Sequence, residues 1–293
     1  MDQPEADQPA PLASRSRLAG ITPPIDGRTF RWSVGTRPIP IAQWLTIGDA
    51  RHGELIRKDE LLGDIHDEVV ATQPAGLAGS RELLAILLAH LTKYHGDTFV
   101  VGEGKVTDRT SGRVTPTTDG HPIEVAGRLV AEDFCVLDKT EAGWVLTAAS
   151  VCFTSRWRLR DKLGQNMAGI HEPVPGYEQR LGKAVDAVFD RMQPEQLLAR
   201  SNWTLLDTDE LYLPTRAVPA AAEQVTSGAL LHDFPWLRIE RQTLRKLPVS
   251  ESIVFTIHTS VAPAEQLSPD EQTRLAQMAA SASAEVRAYK GWD

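Results

Sequence analysis

IEVAGRLVAEDFCVLDKTEAGWVLTAASVCF, residues 123–153, decides the fold. β-Branched residues and apolar alternation mark residues 123–137 and 143–153 as two strands. DKTEAG, residues 138–143, supplies turn formers at hairpin length between them, so the two strands pair antiparallel. Residues 98–101 and 253–261 read as further strands by the same pattern. Upstream, Ser80 precedes RELLAILLAHL with Glu82 in the first turn, and the apolar face is too wide for a surface helix. That predicts a capped, largely buried helix. Residues 51–70 mix charges with Leu55, Leu61, Leu62 and Ile65 at roughly helical spacing, as one or two surface helices would. Prolines at 38 and 40 keep the segment before them extended.

Downstream, residues 155–163 and 178–192 read as helices, the second with a stripe of Leu181, Val185, Val188, Phe189 and Met192. The closing helix is signalled by Ser268 as cap, Pro269 at the first position and Glu271 completing a capping box. Leu275, Met278, Ala282, Val286 and Tyr289 line its apolar face. Helices, a run of strands, helices, a strand and a last helix describe an α+β domain, an antiparallel sheet flanked by helices. No Gly-, Ser- or Pro-rich linker divides residues 25–293, which predicts a single large domain. Residues 1–24 hold five prolines and few large apolar side chains, the composition of a disordered tail.

Composition narrows the function. A formal charge of −8, from 31 Lys+Arg against 39 Asp+Glu, gives no basic field for a nucleic-acid backbone. The longest apolar run, residues 83–89, falls far short of the roughly 18 residues of a membrane span. MDQPEADQPAP has neither the basic start nor the apolar stretch of an export signal, so the expected location is the cytoplasm. The two cysteines are then expected as free thiols, and two cannot supply the four thiolates of an iron–sulfur cluster. GEGKVT, residues 102–107, lacks the third glycine of a dinucleotide fingerprint and reads as a turn between strands. No phosphate loop, HExxH or GxSxG stands in the sequence. Asn202-Trp-Thr204 matches a glycosylation sequon, which without an export signal carries no weight.

His90 and His95, five apart on a helix, are expected on different faces. His171 stands apart. IHEPVPGY follows the residues 155–163, whose polar face carries Arg156, Arg158, Arg160 and Lys162, and Pro173 and Pro175 stiffen the loop that presents the imidazole. Such rigidity suits a metal ligand, although a lone histidine more often just satisfies a hydrogen bond. Cys135 and Cys152 lie in strand-like stretches where buried free thiols are usual, with Cys152 kept as a weaker thiolate ligand. RIERQTLRKLP, residues 238–248, gathers cations around Glu240. A charge run is commonly a solvated face, but Arg forks are also what a buried carboxylate requires.

GRLVAEDFCVL (127–137), AASVCFTSRWRLRDKLG (148–164), IHEPVPGY (170–177) and RIERQTLRKLP with FTIHTSV (238–261) together resemble the haem-dependent oxidative N-demethylase alpha-subunit-like family, over most of the chain from about residue 23 to 263. The resemblance implies a PAS-like scaffold binding haem b. It implies an O2-dependent monooxygenase that removes a methyl group from a small secondary alkylamine as formaldehyde. Separate flavin and iron–sulfur reductase subunits would supply the electrons, in keeping with the motifs this chain lacks. A haem or small-ligand sensor on the same fold is the alternative. On this reading His171 is the axial iron ligand, with Cys152 and His258 as weaker choices. Arg156, Arg158, Arg238, Arg241 and Arg245 are the candidates for the haem propionates. Glu240 or Glu172, with Tyr177, Trp157 or Trp203, would hold the protonated amine.

Overall fold

The computed structural model describes residues 29–30, 34–215 and 230–292; the expected tail over residues 1–24 lies outside the described residues. A two-residue strand β1 (Arg37–Pro38) leads into helices α1 (Arg51–Asp64) and α2 (His66–Val69) and the short strand β2 (Val70–Thr72). Helix α3 (Leu77–Tyr94) starts three residues before Ser80, whose hydroxyl donates to the Gly76 carbonyl instead of capping the helix. Next comes a small antiparallel sheet of β3 (Phe99–Gly102), β4 (Lys105–Asp108) and β5 (Val114–Pro116). GEGK is the turn joining β3 to β4, with Gly104 at φ 71°.

The deciding segment splits. Pro122 and the His121 side chain, which accepts from the Ile123 amide, start helix α4 (Pro122–Leu129), so the β-branched residues there lie on a helix and not a strand. Strands β6 (Asp133–Thr140) and β7 (Gly143–Ser150) then form the expected hairpin, with Gly143 at φ 98° where the turn needs a positive dihedral. Residues 155–163 form no helix beyond one 3-10 turn at Leu159–Asp161. Arg156 has φ 64° and its amide bonds the Leu213 carbonyl, a conformation incompatible with a continuing helix.

Helix α5 (Met167–Ile170) is a single turn; a π-helical turn, Glu178–Gly182, then runs into α6 (Lys183–Arg191). Strand β8 (Leu197–Leu206) follows, then α7 (Leu230–Asp233), β9 (Trp236–Lys246) and β10 (Ile253–Pro263). The charge run RIERQTLRK is thus a strand whose cations alternate between two faces. Ser268 closes the expected capping box on α8 (Pro269–Ala280). The apolar stripe beyond it belongs to a second helix, α9 (Ala284–Lys290), capped by Ser283.

The large sheet has seven antiparallel strands in the order β1-β8-β9-β10-β6-β7-β2. Both faces of its centre are covered. Phe134, Val136 and Val254 pack with Leu83, Leu87 and Leu91 of α3 and with α4. Their neighbours Cys135, Leu137 and Ile253 turn the other way, towards Phe189 of α6. β6 therefore reads as a continuous apolar run. The result is the α+β domain that the order of elements implied.

Candidate functional site

Between the sheet and the segment from α5 to α6 is a cavity of about 310 Å³, in the size range of small-ligand and cofactor pockets. β6 and β10 supply an apolar floor with Cys135, Phe255 and Ile257, and β8 and β9 a polar wall with Arg200, Asn202, Glu240 and Gln242. Met167, His171, Tyr177 and Val185 form the roof, and Arg156, Lys290 and Trp157 line it as well.

The roof is fixed locally. The Asn166 side chain accepts from the Gly169 amide and starts α5, while Asn166 bridges to Val145 of β7. Lys162 donates to the Ile170 carbonyl, 2.6 Å away, at the other end of that turn. His171 follows. Its Nδ1 lies 2.9 Å from the Met167 carbonyl oxygen, and its ring stacks on Tyr177 at 4.2 Å between centroids and 8° between planes. A carbonyl oxygen can only accept, so Nδ1 carries the proton. Burial pushes the imidazole pKa down to about 4, so at neutral pH the ring is uncharged and Nε2 keeps its lone pair. Gly176, at φ 67°, makes the turn that brings Tyr177 beneath His171. Tyr177 is only 5% exposed, its hydroxyl has no partner among the described residues, and burial raises its pKa to about 12.

The wall is more heavily bonded. Arg238, with no exposed surface, donates to the carbonyls of Leu211 (2.9 Å) and Phe153 (2.5 Å) and from Nε to Glu240 at 3.1 Å. Glu240 also accepts from Gln242 at 3.1 Å, so its carboxylate is held at the cavity surface from two sides. Arg156 donates to the Lys290 carbonyl; Lys290 itself donates to the Trp203 carbonyl at 2.9 Å, and burial lowers its pKa to about 8.

Of the residues singled out from sequence, His171, Tyr177, Arg156, Arg238, Glu240, Trp157 and Trp203 meet at this cavity. Arg158, Arg241, Arg245, Glu172, Cys152 and His258 do not line it. Arg158 lies 4.0 Å from Glu68, and Glu172 faces solvent. Arg241 and Arg245 sit on the alternate residues of β9 and cross to the other face. There Arg241 donates to the carbonyls of Gln43 and Trp44, and Arg245 covers the Trp44 ring at 4.9 Å. His258 lies 3.7 Å from Glu54, and burial raises the Cys152 thiol to about 12, a poor thiolate. His90 and His95 are not separated as helical spacing predicts. His95 leaves the helical conformation at the end of α3, and the two rings come within 5.3 Å.

Arg200 carries no motif. Its signal is alternation within β8, where Arg200, Asn202 and Thr204 fall on one side of a strand with apolar ends. Burial lowers its pKa, and among the described residues it has no hydrogen-bonded or ion-paired partner.

A family profile described as haem-dependent oxidative N-demethylase, alpha subunit-like, matches residues 35–293. The chain belongs to this family. Its description carries haem dependence, oxidative demethylation and the standing of an alpha subunit among partner subunits. The cavity fits such a group on its own evidence. One neutral histidine offers a free nitrogen, the floor is apolar and the wall is cationic. Among the described residues no cluster of three or more His, Cys, Asp or Glu is placed to hold a bare metal ion, whereas a metal carried in a macrocycle needs just an axial ligand. Among the same residues no helix is long and apolar enough to cross a membrane.

Proposed function

We propose that this member of the family binds haem b in the cavity, with Nε2 of His171 as the axial iron ligand, and demethylates a small secondary alkylamine. The observation that carries this reading is the His171 hydrogen bond to Met167, which fixes the tautomer and leaves the other nitrogen for the metal, as ligating histidines usually require. The haem, when bound, supplies the activation of dioxygen and the oxidation of the N-methyl carbon. R–NH–CH3, O2, two electrons and two protons give R–NH2, formaldehyde and water. The electrons come from flavin and iron–sulfur subunits in trans, and both cysteines here are buried free thiols, as in a reducing cytoplasm.

The chain's own residues hold the reactants. Arg156 stands at the cavity edge as a partner for a propionate. Arg238 is a positioning residue: its Nε holds Glu240 so that the carboxylate can accept from the substrate ammonium, with Trp157 and Trp203 offering aromatic surface to the cation. The apolar floor and the α5–α6 roof limit water around the reacting carbon.

The order of the five long strands supports a PAS-like scaffold. Counted as first to fifth, β6, β7, β8, β9 and β10 lie 2-1-5-4-3, and the helical insertion between the second and third roofs the cavity. The test is formaldehyde release from dimethylamine by the haem-loaded chain, supplied with NADPH and a flavin and iron–sulfur reductase. Formaldehyde formed in proportion to amine consumed supports the enzyme; haem that is reduced and binds ligands but releases none from any methylamine supports the sensor.

A further inference from the structure

We propose that Arg200 and Tyr177 form a carboxylate-binding subsite in the cavity beside His171. The cavity wall holds five cations, Arg156, Lys162, Arg200, Arg238 and Lys290, against one carboxylate, Glu240. Four of the five are engaged. Arg238 serves two carbonyls and Glu240, Arg156 the Lys290 carbonyl, Lys162 the Ile170 carbonyl and Lys290 the Trp203 carbonyl. Arg200 presents an open guanidinium fork, with no hydrogen-bonded or ion-paired partner among the described residues, and Glu240 acts on it only through space. The Tyr177 hydroxyl is likewise buried and unpartnered, and Arg200 lies close enough to Tyr177 and to His171 to influence the ionisation of both.

The unused hydrogen-bonding capacity at this spot is therefore a planar fork of cationic donors next to a phenolic donor. A dialkylammonium can donate to the phenolic oxygen, but it brings positive charge to the guanidinium and leaves the fork unanswered. A carboxylate answers both, because its two oxygens match the guanidinium fork and retain a lone pair for the hydroxyl. Two carboxylates fit the reading above: a propionate of haem, or the acid group of an N-methylated amino acid whose amine meets Glu240. The first source rests on the haem reading; the subsite itself does not.

Arg200→Gln, Arg200→Lys and Tyr177→Phe, checked for folding by circular dichroism, separate the cases. The haem-free chain is titrated with haem b and with its dimethyl ester, followed by quenching of tryptophan fluorescence, since Trp157 and Trp203 line the cavity. The loaded chain is titrated with sarcosine and with dimethylamine by difference absorption. Arg200→Gln is expected to weaken a carboxylate-bearing probe about tenfold or more while its uncharged counterpart changes less than about twofold, the scale of a charge-assisted pair. Arg200→Lys restores part of that loss, and Tyr177→Phe loses a smaller part. An effect on haem b but not its ester assigns the propionate; an effect on sarcosine but not dimethylamine assigns the substrate. Unchanged affinity for all four probes, or equal weakening of acid and neutral probes, overturns the subsite. A wild-type chain that takes up no haem removes the haem reading instead, and sarcosine quenching of the haem-free chain, weakened by Arg200→Gln or absent from the wild type, then decides the subsite alone.

Discussion

Under α1, Lys58 donates to the carbonyls of Gly127, Val130 and Glu132 and lies 3.1 Å from Asp133. Asp133 in turn accepts the amides of Cys152 and Phe153. Every strong polar group of that pair is answered within the chain. At the cavity, by contrast, the Arg200 fork of the wall and the Tyr177 hydroxyl of the roof have no hydrogen-bonded partner among the described residues, and Nε2 of His171 keeps its lone pair. Both regions are buried and charged. The first holds α1, α4 and the β6 and β7 ends together, while the second keeps its bonding capacity for something the chain does not itself provide.

The sharpest way to break that contrast is Asp133→Ala. It strands Lys58 as a buried charge and frees two amides, so chemical denaturation should show a loss of about 3–5 kcal/mol. A loss below about 1 kcal/mol would mean that the Lys58 cluster does not carry the fold.

A second effect is acid sensitivity. Burial holds both His90, on α3, and His171, in the cavity roof, down at about 4, against the ordinary 6.5 of an unfolded histidine. Between those values the unfolded chain binds protons that the folded chain refuses. The contribution of these two histidines to stability should therefore be fully present above about pH 6.5 and fall as pH drops towards 4, with buried Glu132, whose pKa is raised, acting in the opposite direction. His66 and His258, whose pKa values are raised by carboxylate partners, are protonated in both states across that window and do not offset the loss. Unfolding followed from pH 7 to 4 in His90→Leu and in His171→Ala should each show a shallower slope, by up to one proton; a slope unchanged in both variants contradicts the buried neutral assignment.

Smaller still is Ser268→Ala, which removes the α8 capping box and should cost about 1 kcal/mol in thermal or chemical unfolding. Smallest in stability is His171→Ala. It gives up one hydrogen bond and a ring stack in the cavity roof, so the fold should lose no more than about 1 kcal/mol, while the nitrogen proposed to hold the haem goes with it.

The parts legible in the sequence are those governed by local chemistry. The β6–β7 hairpin, the capping box of α8 and the stripe that became α6 each announce themselves within a short stretch of chain. Where a tertiary contact overrides local preference, the sequence misleads. α4 is a helix despite its β-branched residues, because Pro122 and the His121 cap start it and its apolar face packs on α3. Residues 155–163 give up a helical pattern because Ser155 bridges to Leu213 and the Arg156 amide bonds the Leu213 carbonyl. The site divides the same way. His171 and Glu240 stand in motifs, but the alternation of β9 that sends Arg238 to the cavity and Arg241 away from it becomes readable once that charge run is known to be a strand. Arg200 is significant because it lacks a hydrogen-bonded or ion-paired partner among the described residues, and no linear pattern records that.

The proposed chemistry of the cavity depends on haem being held through His171. Its most direct test is an absorption spectrum from about 300 to 700 nm of the wild-type chain and of His171→Ala, both produced with a haem precursor, before and after dithionite and carbon monoxide. Haem held by His171 would give one haem per wild-type chain, with a Soret band whose carbon monoxide shift reports histidine ligation, and a lost or displaced band in a variant that remains folded. A wild-type spectrum without a Soret band, or identical bands in the two proteins, would contradict it.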